Sequence, residues 1–593
     1  MSAGAVSGGA AGGGAVGGGV VSGGVVSGGA GGKGPAVGGA GALGRGRYDC
    51  VVIGGGHNGL VCATYLARGG RSVLVLEAAD RVGGAAVTRE FAPEFRVSAC
   101  AHLLHLMPES LVQDLRLGSY GLRFAVERMS TTALSADGAP LVIDGGNPVG
   151  LEERSPSDAV AFPAYDGVMR RLAEALHPVF ETVPPRLGTD SWEDRLALAR
   201  LGLRLRTLGR RDMRELLRIG GMCVQDLLDD HFETPLLKGA LGFDAVLGSN
   251  FGPRSPGSVF TLLYRMAASS AAGGSLALPE GGLGALSEAL AKAAIDAGVV
   301  IRTEAPVERI LVREDRAAGV VLQSGEQLTA AAVVSSADPK TTFLRLLGSE
   351  YLDTGFVRRV KHLRARGLAA KLHLALDRLP QFQGLDASAL RGRMLVAPSL
   401  EYVERAFNHA KYGEFSAAPI LEITVPSVVD STLAPAGKHV LSAIVQYVPY
   451  QLAAGSWEQE KERCTDLVIS ILERHAPGLR ESVRAVELLT PADIEREFRI
   501  GGGHWHHAEL ALDQFMMVRP VPGAAQYRTP LEGLFLCGAG SHPGGGVMGV
   551  AGRNAARQVL NRSGARTARG RGREVASRSG GAGRVAPVKG EGA

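Results

Sequence analysis

The chain has 593 residues, 45% of them hydrophobic and 21% charged, and a formal net charge of +5, enough for one large domain or two interleaved ones. The positive charge sits at the ends: residues 1–47 hold three basic residues and no acid, and residues 562–593 hold eight basic against two acidic, leaving about −4 for the body. Such a body is not a nucleic-acid surface, and six scattered cysteines (Cys50, Cys62, Cys100, Cys223, Cys464, Cys537) without a CxxC exclude both a disulfide framework and a redox-active disulfide.

Residues 1–46 are almost all Gly, Ala, Val and Ser, a composition expected to stay disordered. They lack the compact apolar region of a secretory signal, and no run in the chain has the length of a membrane span. The most informative stretch follows, "YDCVVIGGGHNGLVCATYLARGGRSVLVLEAADRVGGA", Tyr48 to Ala85. "CVVI" is a buried β run, apolar residues at Leu60, Ala63, Leu66 and Ala67 have helical spacing, and "SVLVLE" is a second β run ending at Glu77. This βαβ pattern carries Gly54, Gly56 and Gly59 in its first turn, with Asn58 among them, and an acid about 20 residues on. Gly54 allows the tight turn, Gly56 lets a pyrophosphate approach the backbone, and Gly59 lets helix and strand pack closely. The helix N-terminus offers free N–H groups to phosphate, and Glu77 would accept from ribose hydroxyls. The same glycine spacing at Gly12, Gly14 and Gly17 has neither strand, helix nor acid beside it. "RVGG", Arg81 to Gly84, is a second glycine turn just past the acid, which favours the longer FAD over NAD.

Further on, "CAHLLHL" places His102 and His105 on one face of an expected helix, with a structural role. "DRLALARLGLRLRTLGRRDMRELLRIGG", Asp194 to Gly221, alternates Leu with Arg; a solvated amphipathic helix pair is favoured over a basic, apolar surface lying on a membrane. From Leu278 to Pro339 the pattern reads helix, short strand, then a β-meander turning at "REDRAA". In "GGHWHHAELALD", His504, His506 and His507 stand with Trp505 and Asp513; read as a strand, the segment puts His504 and His506 on one face, with His506 preferred for proton handling. No spacing supplies the ligands of a zinc site. His542 in "SHPG" is a turn residue.

Three segments, "VVIGGGHNGL…VLEAADRVGGAAVTREF", "LPEGGLGALSEAL…SSADP" and "GLFLCGAGSHPGGGVMG", resemble the phytoene-desaturase-like branch of the amine oxidase flavoprotein superfamily over roughly Tyr48 to Asn561. The resemblance implies an α/β architecture, a Rossmann-like FAD-binding domain (47–100, 278–344, 521–561) with an interleaved α+β substrate domain (101–277, 345–520), flanked by a disordered basic tail from 562 to 593. It implies that Gly54, Gly56, Asn58 and Gly59 meet the pyrophosphate and Glu77 the adenosine ribose. Arg81, Gly83 and Gly84 lie on the path to the flavin, and Val307 pairs its backbone with adenine. The second glycine cluster follows the strand "GLFLCG": Gly538 and Ala539 make backbone contact in place of a carboxylate, Gly546, Val547 and Met548 lie against the flavin, and "VAGRNAARQVL" starts a helix aimed at it.

The implied function is an FAD-dependent oxidoreductase of dehydrogenase, desaturase or isomerase type acting on a small apolar organic substrate. Carotenoid desaturation, amine oxidation and a non-catalytic regulatory role are the alternatives. Amine oxidation usually wants an aromatic cage, for which Trp505, Phe515 and Tyr527 are the available residues. The expected partners are the substrate, no nucleic acid, and a peripheral membrane contact if the Leu/Arg segment provides one. The expected compartment is the cytoplasm for a bacterial source and the mitochondrial matrix for a eukaryotic one.

Overall fold

The computed structural model describes residues 47–135, 138–188, 190–271 and 276–561; the head and tail expected to be disordered lie outside the described residues. β1 (Arg47–Ile53) starts at the surface and is buried from Cys50 onward. The chain turns at Gly54 into α1 (His57–Arg68) and returns as β2 (Val73–Leu76), buried at all four positions. Much later α2 (Leu283–Asp296) buries Leu283, Leu286, Ala289 and Leu290 on one face, at the spacing expected of an amphipathic helix. It leads to β3 (Val300–Arg302), which pairs parallel with β2.

β4 (Val307–Arg313), β5 (Arg316–Leu322) and β6 (Gln327–Ser335) form the meander, with Glu314 and Asp315 at positive φ in the first turn. The strand order is β3-β2-β1-β6-β5-β4. β6 is long enough to have two neighbours on one edge: its first residues pair antiparallel with β5, and its last pair parallel with β7 (Leu534–Leu536). β1, β2, β3, β6 and β7 thus run parallel, and such strands, covered on both faces, read as continuous apolar runs. The chain then closes with α3 (550–561). Phe343, Leu346, Phe356, Val360 and Leu363 pack on this sheet, so its layer extends past residue 344.

The second sheet has eight strands, in the order Val483–Leu489, Ala369–Leu376, His439–Gln446, Ile420–Thr424, Arg393–Val396, Thr131–Ala133, Leu141–Asp144 and Asn147–Pro148. Ala369–Leu376 is buried at every position although it carries Lys371 and His373. Alternation explains this: Leu372 and Leu374 pack in the core under the helix Trp457–His475, while Lys371 and His373 point to the opposite face. The Leu/Arg stretch forms two helices, Trp192–Thr207 and Gly209–Ile219, with Trp192, Leu203 and Leu217 exposed. Among the described residues no helix is long and apolar enough to cross a membrane.

Candidate active site

The turn after β1 opens into a cleft. Gly54, Gly56, His57 and Asn58 line it on one side, with Glu77, Gly83, Gly84 and Val307 along its length and Ser336, Thr341, Arg345, Trp505, His507 and Ala539 on the walls. The local geometry follows from the glycines. A Cβ at Gly59 would lie 2.1 Å from the Gly54 carbonyl oxygen, so α1 can meet the turn only with a glycine there; a Cβ at Gly56 would meet nothing within 4 Å, because that position faces open space. The Glu77 carboxylate accepts from the Gly55 N–H at 2.7 Å and from the Ala79 N–H at 2.9 Å, so it is held in place with lone pairs to spare.

Beside the cleft lies a second cavity of roughly 780 Å³, lined by Cys100, His102, Leu103, His105, Leu106, Leu247, Arg265, Glu422, Ile444, His506, Gly546 and Val547. His57, Ala85 and Trp505 border both spaces, so the two adjoin. His57 also lies against the Gly546 backbone, and the N-terminal and C-terminal glycine clusters meet at this point. Burial above all, and then His507, push His57 down to about 4; His507 itself is pushed to about 4 by burial. Burial also holds His506 well below the ordinary imidazole value, so these rings are neutral at pH 7. Asn58 Oδ1, His57 Nε2, His506 Nδ1 and His507 Nδ1 are buried and have no hydrogen-bond partner. Unsatisfied polar atoms clustered around an open, glycine-walled space fit a polar ligand.

One residue that sequence reasoning passed over ties the two spaces together. Arg519 is fully buried, and its guanidinium donates to the carbonyls of His506, Ala508, Glu509, Gln514, Ala539 and Ser541 at 2.7 to 3.3 Å. It thereby fixes the histidine loop against the second glycine cluster, and burial lowers it to about 10. A Cβ at Gly545 would fall 2.3 Å from His506 Cα, which shows how closely loop and cluster approach.

The structure corrects several readings. Residues 101–107 are not helical; the segment is irregular, bridged to Ala277 through Leu104, and its two histidines face the second cavity instead of packing in a helix interface. Residues 504–509 form turns and no strand, because the glycines at 501–503 and the Arg519 bonds bend the chain. His504 consequently does not share a cavity wall with His506; its ring lies 3.5 Å from the Glu509 carboxylate, outside both spaces. Arg81 is exposed and paired with Asp80 at 2.8 Å, and it is not among the residues that line the cleft. Met548 packs into the core beside Tyr264, and Gly538 lies against Ser336, whose carbonyl oxygen would be only 2.3 Å from a Cβ there; neither lines the cleft or the second cavity. Phe515 belongs to an aromatic cluster with Phe180, Phe260 and Tyr264, while Tyr527 is bonded to the His542 carbonyl, so of the three candidate cage residues only Trp505 faces the cavities.

A parallel sheet with a glycine-turn cleft, and a mixed second sheet beside it, define a dinucleotide-binding protein with a second domain. The profile of the family described as flavin containing amine oxidoreductase matches residues 59–560, and the chain belongs to that family. It is 39% identical over 544 residues to the mouse (Mus musculus) pyridine nucleotide-disulfide oxidoreductase domain-containing protein 2, covering 86% of this chain and 93% of that protein. It is 26% identical to a lycopene-forming phytoene desaturase of Pseudescherichia vulneris, covering 84% of this chain and 96% of the desaturase. The solved structure of putrescine oxidase bound to putrescine shares the fold, with a TM-score of 0.56 and 15% identity over 87% of this chain and 98% of the oxidase.

Proposed function

We propose that the chain binds FAD along the cleft and dehydrogenates an apolar organic substrate held in the adjoining chamber. The observation that carries this reading is the shared wall of His57, Ala85 and Trp505, where a cleft suited to a dinucleotide opens on a largely apolar cavity. When bound, FAD supplies a two-electron acceptor for the substrate's hydrogen. The chain supplies the rest. Glu77 orients ribose hydroxyls, the α1 N-terminus faces phosphate, and the α3 N-terminus adds partial positive charge beside the second glycine cluster. Neutral His57 and His507 can take a proton, which suits a base better than an acid, whereas His506 Nε2 already accepts from the Trp505 indole N–H at 3.1 Å.

Amine oxidation is the weaker reading, because Phe515 and Tyr527 lie outside the chamber and the cationic Arg265 lines it. The phytoene desaturase among the relatives supports an apolar substrate. Exposed Trp192, Leu203 and Leu217 among the arginines of 192–219 support delivery from a membrane surface. The test is to purify the protein, release its cofactor for mass identification, and screen metabolite pools anaerobically for bleaching of the flavin. Bound FAD that apolar fractions bleach is the expected outcome; protein that never takes up a flavin would overturn it.

A further inference from the structure

Six ionisable side chains meet at the polar end of the chamber, four that can be cations and two carboxylates. Lys371 Nζ donates to His102 Nδ1, so the His102 proton is on Nε2, which donates to Glu422 Oε1 at 2.8 Å. The other Glu422 oxygen accepts from Arg393 Nη1 at 2.9 Å. Arg393 also forks onto both oxygens of Asp244 at 2.9 and 3.0 Å, and Arg265 reaches the same carboxylate at 3.2 Å. Arg265 and Glu422 line the chamber, as does His105, whose two ring nitrogens are buried without a partner.

With Lys371 protonated, the cluster is one anion short. An unmatched buried charge is unfavourable, and burial accordingly lowers Lys371 to about 7, against the pull of Glu422. A ligand anion beside Arg265 would restore the balance, and Leu103, Leu106, Leu247, Ile444 and Val547 give the chamber a hydrocarbon wall.

We infer that the chamber takes an apolar monocarboxylate, its carboxylate held by the Arg265 guanidinium and His105 and its hydrocarbon laid against the leucine wall. This rests on the chamber being the substrate site, and it narrows the substrate class from any apolar molecule to an apolar acid.

Three ligands with one tail and different heads provide the test: decanoate, decan-1-ol and decylamine, titrated calorimetrically into flavin-loaded protein. No turnover is needed, so the result is independent of the bleaching screen. Decanoate is expected to bind at least about tenfold tighter than decan-1-ol, with decylamine weakest, a preference of about 1.4 kcal/mol. Arg265→Gln is expected to bring decanoate down to the affinity of the alcohol, and His105→Phe to narrow the preference. Alcohol or amine binding as tightly as decanoate, no binding by any of the three, or a preference that survives Arg265→Gln would overturn the inference. If Arg265→Gln loses its flavin spectrum, the head-group series on the unaltered protein decides alone.

Discussion

The cleft and the chamber adjoin, yet they are built from different materials. The cleft takes four glycines, His57, Asn58 and Glu77 from one stretch with fixed spacing, Gly54 to Gly84, and completes its walls with residues such as Val307, Thr341, Arg345, Trp505 and His507. The chamber is walled by side chains from across the chain, from Cys100 through Arg265, Glu422 and Ile444 to Val547, and its polar end is a web of ion pairs. A site anchored on glycines that no other residue can replace has little room to vary there. A site made of scattered side chains can be rebuilt for a new substrate without disturbing its neighbour.

The contrast can be broken at its weakest points. Gly59→Ala should have the largest effect: its methyl group would meet backbone, which cannot move aside, so the protein should be isolated folded but without flavin absorbance. Arg519→Met should damage both spaces together, because buried carbonyls lose their donor; a loss of at least about 3 kcal/mol is expected in urea unfolding, with flavin release in parallel. Lys371→Met should touch the chamber alone. Lys371 is held near 7 in the folded protein, against 10.5 as its ordinary value, so its burial opposes folding fully below pH 7 and progressively less as pH rises toward 10.5. The variant should therefore be more stable than the parent at pH 6, with the gap closing toward pH 10 in urea midpoints. Glu77→Gln should touch the cleft alone and least, weakening flavin affinity by about tenfold, or about 1.4 kcal/mol, while leaving decanoate binding to flavin-loaded protein unchanged.

The same contrast explains what could be read from the residues beforehand. The βαβ unit, the meander turning at Glu314–Asp315, the returning strand Leu534–Leu536 and the helix after it were legible because periodicity and glycine spacing are local signals. His102 and His105 were misread as helical because "CAHLLHL" has helical spacing, whereas tertiary pairing of Leu104 with Ala277 holds it irregular. His504 and His506 were placed together on a strand pattern that the Arg519 bonds override. Arg519 and the Lys371–Glu422 web left one usable trace, charged residues inside otherwise apolar runs such as "LAAKLHLAL", which a buried strand tolerates only if partners await them.

The meeting of Gly546 with His57 has a consequence for biosynthesis. Nearly five hundred residues separate the two arms that would clasp the proposed cofactor, and the edge strand between them, Leu534–Leu536, docks on a sheet otherwise finished at Ser335. During translation the nascent chain can therefore form its first glycine turn early, but on the proposed function it could not close on a flavin until the helix 550–561 has left the ribosome.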